Sequence, residues 1–79
     1  MIRVFLDANV LFSAADSPRG VNRAIFDIAE RREDVLLMAD RYVWGEADIN
    51  LRDLRKTQAR AELGTLMALS TLAPSPHSN

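Results

Sequence analysis

The chain has no cysteine and a single histidine among its 79 residues, which excludes disulfide staples and zinc sites built on thiolates. Its three glycines and three prolines are too few for a collagen-like or low-complexity chain. Long hydrophobic runs are also missing. None approaches the roughly 18 residues of a spanning helix, and Asp7 with Asn9 interrupts the N-terminal run too early for a secretory signal. The expectation is a cytoplasmic chain with no membrane contact. A net charge of -1 offers no global attraction to nucleic acid, so any such binding must use a local basic face.

What remains is 48% hydrophobic and 27% charged, the balance of one small globular domain. Its core must be thin. Folding at this length buries about 60 to 65% of the extendable surface, so stability leans on a metal or a partner. The branched and aromatic run Ile2 to Leu6 predicts a parallel strand covered on both faces. Asn9 to Ala15 begins a short helical turn, and Asp16 to Gly20 is a loop by its turn residues. Val21, Ala24, Ile25, Ile28 and Ala29 then recur at helical spacing, up to the charged group Arg31 to Asp34.

Val35 to Ala39 forms a second apolar strand, so strand, helix and strand follow one another as in a parallel crossover. Asp40 reads as the N-cap of a helix from Arg41 to about Arg55, with Val43, Ala47, Leu51 and Leu54 on its apolar face and Glu46 and Asn50 on the same side. A third helix, Thr57 to about Leu69, carries Ala59, Leu63, Leu66 and Met67, with Gly64 as a weak spot. The expected architecture is α/β, a short parallel sheet in the order β-α-β-α-α with helices packed on it. The domain spans residues 1–72, and the proline- and serine-rich residues 73–79 form a disordered tail.

Asp7 is the residue that asks for a reason. An ionised side chain between two apolar runs is costly unless it is hydrogen-bonded, paired or bound to a metal. One reading is a cap on the turn that follows; the other is a ligand at the carboxyl end of a strand, where open parallel sheets place their sites. If the two strands are neighbours, Asp40 and Glu46 converge on the same edge as Asp7, with Asn9 and Asn50 adding neutral oxygens. Such hard donors suit magnesium or manganese. Each also has a plainer role: Asp40 as a cap, Glu46 as an exposed helix residue, the asparagines and Ser13 as partners of backbone groups. Trp44 is a base-stacking residue or a core or interface anchor, and His77 lies in the inert tail. Arg52, Arg55, Lys56 and Arg60 cluster in one stretch, either as a solvated helix surface or as contacts to RNA or an acidic partner.

The segments VFLDANVLFSA, VLLMA and YVWGEADINL, in this order and spacing, resemble the first half of a PIN domain, the metal-dependent ribonuclease fold of many toxin/antitoxin toxins. The resemblance covers about residues 2 to 70. It implies RNA cleavage with Asp7 and Glu46 as the catalytic, metal-coordinating acids, Asn9 and Asn50 in supporting positions and Mg2+ or Mn2+ as cofactor. It also implies RNA as substrate and an antitoxin protein as partner. The family's third and fourth acids come from strands beyond the third helix, and this sequence has no counterpart for them. Ala39 and Asp40 stand where the family has a small hydroxyl residue. The chain is thus expected to be a truncated PIN-like domain, weak or inactive alone. The alternative is a non-catalytic PIN-derived module for binding or oligomerisation, with a second copy or a partner chain covering the exposed sheet edge.

Overall fold

The computed structural model describes residues 1–72; the expected tail and His77 lie outside them. Seven elements follow in order: β1 (Ile2–Phe5), α1 (Ala8–Asp16), α2 (Val21–Arg31), β2 (Val35–Ala39), α3 (Arg41–Asp53), α4 (Thr57–Ala68) and β3 (Thr71–Leu72). The α/β class and the parallel sheet agree with the sequence reading. Two elements do not. The expected turn after Asn9 is a nine-residue helix, and a third strand follows the last helix, giving four helices and three strands in place of three and two.

All strands are parallel in the order β1-β2-β3. Both connections step the same way across the sheet, and the right-handed sense that such crossovers take places their helices on one face. Burial agrees. Leu6, Leu37 and Ala39 are in the core, whereas Phe5, on the alternate side of its strand, is 69% exposed. Ile2↔Val35 and Phe5↔Met38 are paired in register, so Arg3, Phe5, Leu36 and Met38 line the open face. The expectation of a strand covered on both sides is therefore corrected: extents of 37 × 36 × 16 Å leave room for a sheet layer and a helix layer only.

The helical layer centres on α1, which packs against α2, α3 and α4. This is possible because α1 carries Leu11, Ala14 and Ala15 on one side, all fully buried, and the two alanines let neighbouring helices approach closely. Phe26 is the anchor from α2, with Ile25 and Ala29 partly buried beside it. Val21 and Ile28, expected in that stripe, are 86% and 51% exposed. On α3, Trp44, Ala47 and Leu51 face inward and Leu54 does not; on α4, Ala59, Leu63 and Leu66 face inward and Met67 does not. Trp44 is thus a core residue.

The end of α3 is built without the usual glycine. The Lys56 N–H donates to the Leu51 carbonyl and the Arg55 N–H to the Arg52 carbonyl, both at 2.9 Å, while Arg55 sits at φ 57°. That is a Schellman closure with a left-handed arginine. A side chain there costs roughly 1 to 2 kcal/mol. We expect Arg55→Gly to raise stability by about 1 kcal/mol, read as a higher melting temperature.

Gly45 and Gly64 lie inside α3 and α4, where each costs about 1 kcal/mol against alanine. Neither has a positive φ, and a Cβ at either position would meet nothing within 4 Å. Neither backbone shape nor close packing accounts for them.

Candidate functional site

Asp7 and Asp40 hold equivalent places. Each stands two residues past the paired end of its strand, related by the offset that pairs Ile2 with Val35, and each caps the helix that follows. Val10 N donates to Asp7 Oδ1 and Val43 N to Asp40 Oδ1, both at 2.9 Å. Backbone angles match as well, with φ −94° and ψ 172° at Asp7 and φ −89° and ψ 170° at Asp40. The equivalence continues into the helices: Leu11 and Ala14 occupy the places of Trp44 and Ala47, all four buried. Two strand-aspartate-helix units therefore lie side by side, with both carboxylates at the carboxyl edge of the sheet.

The cap reading of Asp7 is thus correct, and Oδ2 has no partner among the described residues. Asparagine caps as well as aspartate does, whereas alanine loses about 1 kcal/mol. We expect Asp7→Asn to melt close to the wild type and Asp7→Ala to melt roughly 4 to 8 °C lower. A thermal scan of the three proteins checks this.

Glu46 lies on the solvent side of α3 and forms no hydrogen bond or ion pair with a described residue. Asn50 and Asp53 follow at four and seven residues and share its helical face. Facing them, α1 supplies Asn9 and Phe12, and a groove of about 370 Å³ between the helices is lined by Asn9, Phe12, Asn50, Asp53 and Leu54. The two asparagines singled out in the sequence are therefore brought together. Asp53 joins them and was missed, although its spacing from Glu46 and Asn50 was the available signal. The expected convergence of Asp7, Asp40 and Glu46 is not realised as a cluster: among the described residues no three acidic or histidine side chains gather as a group that could hold a metal.

The basic stretch is largely committed to acids of this chain. Arg60 forms a two-pronged pair with Asp48, Nε to Oδ1 at 2.9 Å and Nη2 to Oδ2 at 3.2 Å. Lys56 Nζ meets Asp16 at 3.0 Å, and Arg52 lies 3.4 Å from Asp53. Arg55 has no described partner and is exposed. A further pair, Arg23 with Glu62 at 3.0 Å, ties α2 to α4.

The hydrogen bond from Arg60 holds the Asp48 carboxyl below its ordinary pKa, against a smaller opposing effect of desolvation. A depressed carboxyl stabilises the fold above its unfolded pKa, near 4, and that contribution disappears as pH falls through the folded value. Acid scans of Asp48→Asn should therefore show a shallower loss of melting temperature below about pH 4 than the wild type. Solvent exposure of the pair keeps the effect small.

Among the described residues no helix is long and apolar enough to cross a membrane. No protein-family profile, curated protein or solved structure matches the chain.

Proposed function

We propose that the chain is a PIN-like, metal-dependent ribonuclease component that contributes one wall of an acidic site. The observation that carries this reading is the combination of a carboxylate fixed at the carboxyl end of β1 with an exposed glutamate, without a partner among the described residues, on the helix after β2. Carboxylate and amide oxygens are the donors that Mg2+ or Mn2+ takes, so the residues fit the ion in kind. They supply too few acids to enclose it, and oxygens of the RNA, of water or of another chain must complete the set.

Asp7 would hold the ion through Oδ2, because the bond from Val10 fixes Oδ1 and with it the tilt of the carboxylate. Glu46 would be the second ligand, with Asn9 and Asn50 offering carbonyl oxygens from the groove between α1 and α3. Asp40 remains a cap. When bound, the ion would neutralise charge on a scissile phosphate and lower the pKa of a water that attacks it. Arg55 is the member of the basic stretch left to meet the RNA backbone. The test is cleavage of RNA with Mg2+ or Mn2+ by the wild type, Asp7→Asn and Glu46→Gln. Equal cleavage by all three, or by none, would remove the catalytic reading.

The open sheet face favours a second reading, a PIN-derived module for oligomerisation or for binding an antitoxin-like partner. Phe5 is 69% exposed on that face, and β1 is an edge strand, where unpaired backbone groups recruit further strands. Under it, sedimentation at micromolar concentration gives a dimer or larger species, and Phe5→Lys shifts it toward monomer. A stable wild-type monomer would contradict the oligomerisation form of that reading.

A further inference from the structure

A groove of about 480 Å³ lies away from the acidic edge, between α3, α4 and β3. Its walls are apolar: Trp44 from α3, Leu63 and Met67 from α4, and Leu72 from β3. A volume of this size, walled by apolar side chains with few polar groups, is that of a small-molecule site.

Two features separate it from a chance gap between helices. Both interior glycines that the fold leaves unexplained, Gly45 and Gly64, line this one groove, one from each helix. Each is a destabilising choice within a helix, and together they keep open a space that two ordinary side chains would narrow. The polar groups are sorted as well. Asp48 and Arg60 neutralise each other through two hydrogen bonds, whereas Arg41 has no described partner. Arg41 is also the first residue of α3, where the N–H of Val43 is already taken by the Asp40 carboxylate. The anion-binding group at this end of the apolar groove is therefore the Arg41 guanidinium.

We propose that this groove binds a small amphiphile with an aliphatic body and a single carboxylate. The aliphatic chain lies along Trp44, Leu63 and Met67 in the space left by Gly45 and Gly64, and the carboxylate meets Arg41. The inference is independent of the nuclease reading, since no residue of the groove belongs to the acidic site.

Trp44 is the only tryptophan and lines the groove, so its fluorescence reports occupancy directly. Titration of the full chain with decanoate, below its micellar range, is expected to give a saturable change in emission. Decanol, with the same chain and no charge, should bind roughly two- to fivefold more weakly, and Arg41→Gln should abolish that difference. Gly64→Leu should remove the response while raising the melting temperature, because leucine is the better helix former; loss of binding then cannot be ascribed to unfolding. No saturable response in the wild type, equal binding by Gly64→Leu, or a decanoate preference that survives Arg41→Gln would each overturn the proposal.

Discussion

Phe26→Ala is expected to leave the chain largely unfolded at room temperature. Phe26 is 1% exposed and is the largest fully buried side chain; it is also the buried anchor of α2. Truncating a core phenylalanine to alanine costs about 3 to 5 kcal/mol through lost transfer energy and the cavity left behind. A single core at this chain length rarely supplies more than about 3 to 5 kcal/mol in total, so the loss is comparable to the whole. Near- and far-ultraviolet circular dichroism should both collapse. Val21→Ser and Ile28→Ser, on the exposed side of the same helix, should each shift stability by less than about 0.5 kcal/mol. If Phe26→Ala melted within a few degrees of the wild type, α2 would not be anchored as described.

That contrast shows where the sequence ran short. Apolar residues occupy positions 21, 24, 25, 26, 28 and 29 of α2, more than half of its circumference. Period alone could not choose the buried side, and the choice belongs to α1 and β2, on which the helix packs. The strands β1 and β2 were legible because branched and aromatic residues run continuously through each, and Asp40 was legible as a cap because an apolar helical stripe follows it directly. α1 was underestimated as a turn because it is short and has no charged residue before its last position. β3 is two residues long, too short for any pattern to register. The end of α3 escaped detection for a related reason: its left-handed position is filled by Arg55 and not by glycine.

The candidate site was legible in the sequence only as a set of out-of-place polar residues. Asp7, Asn9, Glu46 and Asn50 stood out as polar residues interrupting apolar patterns, and the structure places Asn9 and Asn50 on one groove. Two things depended on three-dimensional packing. Asp53 joins that groove only because the C-terminal part of α3 meets α1. Lys56 and Arg60 are engaged by Asp16 and Asp48, pairings between helices that linear charge patterning does not specify.

Under the proposed nuclease reading, the second large effect expected is on RNA cleavage. Losing even an outer partner of a metal ligand costs about 10- to 100-fold in metal affinity or activity, so replacing a ligand itself should cost at least about 100-fold. Asp7→Asn and Glu46→Gln are therefore each expected to lower metal-dependent cleavage by that factor or more. The stability controls differ between them. Asp7→Asn retains the cap on α1, and Glu46→Gln alters an exposed side chain without a described partner, so neither should lower the melting temperature appreciably. A loss of cleavage with an unchanged melt would then be a loss of chemistry. Cleavage within about twofold of the wild type in both variants, far from the 100-fold cost expected of a lost ligand, would mean that any activity resides elsewhere.

Under the proposed reading, Asp7 and Glu46 would hold one divalent ion together. Titration with Mn2+ followed by amide line broadening in nuclear magnetic resonance spectra tests it directly, since the paramagnetic ion broadens the signals nearest to it and the readout needs no turnover. The account predicts that the amides of residues 7–10 and 46–50 broaden together at the lowest Mn2+ concentrations and that Asp7→Asn and Glu46→Gln each suppress both sets. Broadening confined to one set, or centred on other acids such as Glu30 and Glu33, would contradict it.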